Sequence, residues 1–502
     1  MNLIYNDDEL NIINHSLEQI VFSKEIRRLK SKTQLYSVSM DDHYRNRMTH
    51  TLEVVTIAKD IARKANNVLL RLFELSDANF ISTELIEAIG LAHDIGHTPF
   101  GHVGERTIQS ILKRDDSLGG LIYDNDFKTQ LESNDGLFYK EWIKKTSFFK
   151  HNVNSVELLI QNNVTYWKIL DGVLQHTDVT YDNKLARVDV SELNWLKLVL
   201  KNTELYKKYF SNQNSYINNF SLSLEGQIIA IADEIAQLYS DLDDTLRYNK
   251  MLKLSNILNI KCEDKDESSM RSMNNKILKA IKNGFIDDVI NTFEQKVRVE
   301  FKDKIYEEKI KMLKECQKLY FYFEKNTNDL NISNYSKYIS RDNYINFDNK
   351  STYFKIEYIK FIKKKYSLKN IAIRKSDGKS KYIIRQLFKA YYNNPELLDD
   401  KVINKIKNEY ANLCKRNDDE NKKFRDLIKE MKLNNNNIKT EYYQFLIGNI
   451  LLKEIAKYIS YMTDDYALAQ YQELYLSWKS INKNFKKMLT LHNIYDKISI
   501  QY

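Results

Sequence analysis

Residues 91–105 read LAHDIGHTPFGHVGE and set His93, Asp94, His97, His102 and Glu105 in one short stretch. The chain holds nine histidines and two prolines, so three histidines and one proline gathered here stand out from the rest. Imidazoles beside carboxylates suit two kinds of chemistry, ligation of a divalent ion and transfer of a proton. His93 and Asp94 are adjacent. Neighbours on a helix point about 100° apart, so both reach one ion only where a helix is ending or where the ion sits over its terminus. Gly96 and Pro99 supply that ending.

Further ligands must come from elsewhere in the chain. His50, in YRNRMTH, opens a long helical stretch. Asp233 lies within a later helix among apolar Ile231, Ala232, Ile235 and Ala236. A carboxylate on a buried helix face is costly unless it is paired or metal-bound. Two imidazoles and two carboxylates make a mixed nitrogen and oxygen set, suited to Mn²⁺, Fe²⁺, Co²⁺, Zn²⁺ or Mg²⁺. The set lacks the cysteines or three histidines of the usual zinc sites. A lone helical histidine is more often structural than a ligand, and a His-Asp dipeptide arises by chance. The combination is what carries weight.

The elements that must position these residues read as helices. Only 12 glycines and 2 prolines occur in 502 residues, too few for many strands joined by tight turns. After His50, Val54, Ile57, Ala58, Ile61, Ala62 and Ala65 recur at steps of three and four, the mark of one apolar helix face. The spacing predicts a second helix over about 84–94 with Thr83 as N-cap, a third from about Val103 and a fourth after Asn152. A fifth spans SLEGQIIAIADEIAQLYSDLDD, with Ile228, Ile231, Ile235, Leu238 and Leu242 on one face. Residues 112–147 read as a polar surface excursion, and a short strand pair is expected near 350–373 (STYFKIEYI, NIAIR). The expected architecture is all-α: a catalytic core over 20–250, a mostly helical accessory lobe over 251–372, and a C-terminal helical region over 373–502 that packs on the core.

Net charge is 77 − 68 = +9, spread through a composition rich in lysine, asparagine and isoleucine, and it singles out no surface. Cys262, Cys316 and Cys414 are far apart and have no metal-type spacing, so a reducing cytoplasmic setting is expected. The first residues lack the basic and apolar runs of a secretion signal. No run of about 18 apolar residues is present, so no membrane span is expected.

The order of motifs resembles the HD-superfamily deoxynucleoside triphosphate triphosphohydrolases of the bacterial dGTPase type. RRLKSKTQLYSVSMDDHYRNRMTHTLEV at 27–54 is similar to that family's opening segment, and LAHDIGHTPFGHVGE to its His-Asp signature. FKHNVNSVELL at 149–159 resembles the next histidine motif, and DGVLQHT at 171–177 a segment of one branch. LEGQIIAIADEIAQLYSDLDD, IIRQLFKAYYNNPELL and YISYMTDDYAL continue the likeness. It covers about 27–247 and 375–470. Many relatives have tyrosine, histidine and aspartate where this chain has Gln237, Ser240 and Lys457.

The resemblance implies an HD-domain helical core and His50, His93, Asp94 and Asp233 as ligands of a divalent metal. It implies that His102 with Glu105 handles the proton of hydrolysis. His97 and His151 would line the phosphates as hydrogen-bond donors or acid–base partners, and Arg47 would grip a phosphate. Gln34 and Asp241 would hold the sugar, and Tyr466 would contact the nucleoside. The implied reaction converts a dNTP, with dGTP foremost, to the deoxynucleoside and inorganic triphosphate. The implied setting is a cytoplasmic homo-oligomer, dimer to hexamer, with single-stranded nucleic acid as a further partner and no membrane. Two alternatives use the same residues: an HD phosphodiesterase or nucleotidase acting on another phosphorylated substrate, and a non-catalytic nucleotide sensor or single-strand binder.

Overall fold

The computed structural model describes residues 5–34, 45–75, 80–122, 148–176, 196–197, 199–210, 221–248, 267–301, 356–357, 359–364, 371–414 and 438–476. Every regular element among them is helical. The one extended feature among them is an isolated antiparallel bridge between Thr33 and Asn46.

The helices start where the sequence offers a side-chain oxygen to a free backbone N–H. Asn6 opens α1 (Asp7–Val21) and Ser23 opens α2 (Lys24–Leu29). The Asn46 side chain accepts from Thr49 N at 2.9 Å and opens α3 (Arg47–Leu72), which fixes His50 in its first turn. For α4 (Thr83–Ala92) the cap is Ser82 rather than the expected Thr83. Ser82 Oγ accepts from Leu85 N at 3.1 Å, while its own N–H is held by Glu225 at 3.0 Å. That second bond anchors Ser82 in the extended conformation a cap requires, and Thr83 becomes the first helical residue. The chain continues through α5 (Gly101–Leu112), α6 (His151–Gln161), α7 (Trp167–Leu174), α8 (Glu204–Phe210), α9 (Leu224–Tyr248) and α10 (Glu267–Phe301). The last described elements are α11 (Ile371–Asn393), α12 (Asp400–Cys414), α13 (Ile438–Ser460) and α14 (Asp464–Tyr475).

The expected strands near 350–373 do not form among the described residues. Residues 356–357 and 359–364 are helical, and Ile371 begins α11. The β-branched residues favour a strand locally. Ile356, Ile359 and Ile362, however, are all buried at three-residue steps, and a helix buries such a stripe where a strand would turn it out. Residues 351–355 lie outside the described residues, as do 123–147 of the expected excursion.

The chain divides into two compact units. The first takes the described parts of 1–97 and 148–377. In it α3 packs on α4, α9 and α10, while α4 also meets α1 and α7, and α6 meets α7. The apolar faces read from the sequence are its core: Val54, Ile57, Ala58, Ile61, Ala62 and Ala65 of α3 and Ile228, Ile231, Ile235, Leu238 and Leu242 of α9 are all buried. Each aliphatic side chain buried this way contributes roughly 1.5–3 kcal/mol. A polar tie accompanies them. Arg45 Nη1 reaches Asp243 at 2.8 Å and Asp244 at 2.7 Å, and its Nε reaches Glu53 at 2.9 Å. The second unit takes the described parts of 98–147 and 378–502, with α5 and α12 packed on α13. No helix among the described residues is long and apolar enough to cross a membrane.

Candidate metal centre

Three elements of the first unit converge on one point. The first turn of α3 delivers His50, the end of α4 delivers His93 and Asp94, and α9 delivers Asp233. Helix α4 stops at Ala92, so His93 caps it and Asp94 enters a turn, the ending on which their joint reach depends. His50 Nε2 lies 2.8 Å from Asp233 Oδ1. His93 Nε2 lies 3.6 Å from Asp94 Oδ2 and 3.8 Å from Asp233 Oδ1. Ligand atoms of His50, His93 and Asp94 all lie within 4.8 Å of one another. His93 Nδ1 donates to Gly90 O at 2.7 Å, which leaves Nε2 as the nitrogen with the lone pair. That Nε2 is buried with no hydrogen-bond partner. A buried nitrogen lone pair with no donor, flanked by two carboxylates and a second imidazole, fits a divalent cation.

Helix α6 holds this turn in place. Ser155 Oγ accepts from Gly96 N at 2.9 Å and donates to His93 O at 3.0 Å. Asn154 Nδ2 donates to Gly96 O at 2.7 Å. Both peptide groups of Gly96 are therefore answered by α6 side chains. The approach is close enough to require glycine: a Cβ at position 96 would sit 2.3 Å from Ser155 N and 2.4 Å from His151 O.

The charges are balanced inside the cluster. Burial alone would raise the Asp94 carboxyl, but His97, the Arg47 guanidinium and His93 reverse this and hold it well below the usual carboxylate range. Burial also works against Asp233, and its hydrogen bond to His50 brings it down to about 2. Burial, then Arg47 and His151, push His97 well below the usual imidazole value.

The other residues singled out in the sequence fall in several places. His97 Nε2 lies 3.1 Å from Asp94 Oδ1, and its ring stacks on His151 at 3.7 Å. With Asp94 these two make a second trio whose ligand atoms lie within 4.8 Å of one another. Arg47 is buried and its Nη1 pairs with Asp94 Oδ2 at 2.6 Å, while its Nε and Nη2 have no hydrogen-bond partner. Gln34 Oε1 is likewise buried with no partner. Asp241 is buried in an ion pair with Lys363. In the second unit, His102 Nδ1 lies 3.8 Å from Glu105 Oε2, one turn apart on α5. Phe100, with its backbone left-handed at φ 62°, leads into that helix and donates its N–H to Asp464 Oδ1 at 2.8 Å. Tyr466 is exposed on α14 of the same unit.

Three residues near these groups went unassigned in the sequence. Lys32, fully buried, donates its ammonium to the His97 carbonyl. It lies two residues before Gln34, in the segment that carries the resemblance. Lys363 comes from a stretch read as accessory, and nothing in its sequence context pointed to Asp241. His176 lies at the end of DGVLQHT, its ring edge-on to His93 at 5.0 Å and to His151 at 5.4 Å. Burial, then His93 and His151, push it down to about 3.

A helical unit that brings two histidines and two aspartates together through a His-Asp turn defines the class: residues 47–238 match the HD domain family. That stretch is an HD domain. The chain is similar to proteins named deoxyguanosinetriphosphate triphosphohydrolase-like. The one from Rickettsia bellii is 29% identical over 264 residues, 51% of this chain and 52% of that protein. The one from Clostridium tetani is 28% identical over 294 residues, 56% and 61% of the two chains. The one from Nitrobacter hamburgensis is 31% identical over 230 residues, 46% of each. The chain thus spans about half the length of these curated relatives.

Proposed function

We propose that the protein hydrolyses deoxynucleoside triphosphates, dGTP foremost, to the deoxynucleoside and inorganic triphosphate. The observation that carries this reading is the orphaned His93 Nε2 among His50, Asp94 and Asp233, with the unpartnered Nε and Nη2 of Arg47 beside Asp94. A divalent ion, when bound by these four ligands, would supply a Lewis acid at the α-phosphate. Arg47 then has two donor nitrogens, Nε and Nη2, to offer a phosphate oxygen while its Nη1 stays on Asp94. His97 and His151 serve the phosphate groups as hydrogen-bond or acid–base partners. Gln34 Oε1, an acceptor with no donor, and the Asp241 carboxylate receive hydroxyl hydrogens of the sugar. Tyr466 contacts the nucleoside.

Water attacks the α-phosphorus, the bond to the 5′-oxygen breaks, and one proton passes from the water to that oxygen. His102 moves this proton, with Glu105 behind it raising its basicity and fixing its orientation. The same reading takes 20–250 as the catalytic core, 251–372 as an accessory lobe and 373–502 as a region packed on the core. It takes the enzyme as a cytoplasmic homo-oligomer that also meets single-stranded nucleic acid.

The test is to incubate the chain with each dNTP and Mn²⁺ or Mg²⁺ and to separate the products by anion exchange with phosphorus NMR. Inorganic triphosphate with the free deoxynucleoside is expected. Monophosphate with pyrophosphate as the only products would overturn the reaction type and leave the HD domain standing.

A further inference from the structure

His176 takes no part in the proposed chemistry, yet its surroundings are specific. It is buried at the end of α7, next to two histidines to which that chemistry assigns roles. Its Nδ1 lies 2.6 Å from Val173 O. A carbonyl oxygen only accepts, so Nδ1 carries the proton and Nε2 carries the lone pair. His93 is set the same way, through a carbonyl three residues earlier. His176 Nε2 faces His151 Nε2 at 3.4 Å. A hydrogen bond across that gap takes one proton, and His176 Nε2 does not have it.

We infer that His176 is a positioning residue that sets the tautomer of His151, accepting from His151 Nε2–H and so making Nδ1 the accepting nitrogen of His151. The consequence selects between two roles. A neutral His151 held this way donates only to His176 and has no N–H for a phosphate oxygen. It serves instead as a proton or cation acceptor. This rests on the triphosphohydrolase reading for the role of His151, but the tautomer itself does not depend on that reading.

Two substitutions separate positioning from packing. His176→Gln keeps a side-chain carbonyl oxygen able to accept from His151, and His176→Leu leaves no acceptor, so the two are compared in the full chain. With ¹⁵N-labelled histidine, long-range proton–nitrogen correlation reads the His151 tautomer, and the signal is assigned by its loss in His151→Gln. The expected result is Nε2–H in the parent and in His176→Gln, and loss of that preference in His176→Leu. Turnover in His176→Leu is expected to fall by about ten- to a hundredfold, the usual cost of removing an outer partner of a site histidine. KM and metal content should stay within about twofold. His176→Gln should recover most of the lost turnover. Nδ1–H on His151 in the parent would overturn the inference, as would equal losses in the two variants. Should His176→Leu fail to fold, the parent tautomer and the turnover of His176→Gln still decide it. If the chain hydrolyses no dNTP, the proposed function falls while the tautomer measurement stands on its own.

Discussion

Replacing Gly96 by alanine probes the turn that carries His93 and Asp94 without touching a ligand. The added Cβ would lie 2.3 Å from Ser155 N, 2.4 Å from His151 O and 2.7 Å from Ser155 Oγ. Two of these atoms are helix backbone, which yields less readily than the end of a side chain. Overpacking of this kind costs roughly 1–3 kcal/mol. Backing the turn away from α6 strains the bonds from Gly96 N to Ser155 and from Asn154 to Gly96 O, each worth about 1 kcal/mol net. The total is about 3–5 kcal/mol. Two other glycines calibrate it. At Gly172 the three atoms nearest the new Cβ all belong to the Ile89 side chain, the first at 2.7 Å, so strain and helix propensity nearly offset and the change stays within about 1 kcal/mol. At Gly284 nothing lies within 4 Å, so alanine should stabilise α10 by roughly 0.5–1 kcal/mol. Urea unfolding of the metal-free chain, followed by circular dichroism, gives the order. Manganese content after loading reports the site, and it should fall in Gly96→Ala alone. A Gly96→Ala chain within about 0.5 kcal/mol of the parent and with full metal content would refute the reasoning.

Further outcomes follow from the same geometry. Asp94→Ala and His50→Ala should each lower bound metal and abolish dNTP hydrolysis, and elemental analysis beside the product assay checks both. His102→Ala should keep its metal and bind dNTP while turnover falls by about a hundredfold or more, with a smaller fall in Glu105→Gln; loss of metal in His102→Ala would make His102 a ligand instead. Burial, aided by Asp243 and Asp241, pushes Asp244 up to about 7 from 3.8 against the pull of Arg45. The folded chain therefore holds a proton there that the unfolded chain gives up near pH 4, so this site's contribution to stability is present at low pH and is lost as pH rises from about 4 through about 7. The full shift corresponds to about 4 kcal/mol. Asp244→Asn should flatten that part of the urea midpoint profile, and an unchanged slope would count against it.

The helical character and the first unit's core were legible because the apolar residues of α3 and α9 keep a strict three-and-four spacing, and burial follows that spacing. Convergence of His50, His93, Asp94 and Asp233 was legible from residue types, a helix ending and a carboxylate placed among isoleucines. The strand expectation at 350–373 failed because β-branched residues speak locally, while the stripe of Ile356, Ile359 and Ile362 is decided by what covers it. Lys363 escaped notice because an ion pair with Asp241 spans 122 positions and leaves no local pattern. The Ser155 and Asn154 bonds to Gly96 are equally silent, since polar residues on a helix read as surface until a partner is seen. His176 stood within a quoted motif, but its histidine neighbours are visible only in three dimensions.

The grip of α6 on Gly96 also gives the site a gauge of its own stability. The Gly96 amide hydrogen is buried against Ser155 Oγ, so it exchanges with solvent only when the His-Asp turn separates from α6. His151 rides on that same helix. The exchange protection of the Gly96 amide therefore reports the free energy of parting two halves of the centre, one carrying His93 and Asp94 and the other His151.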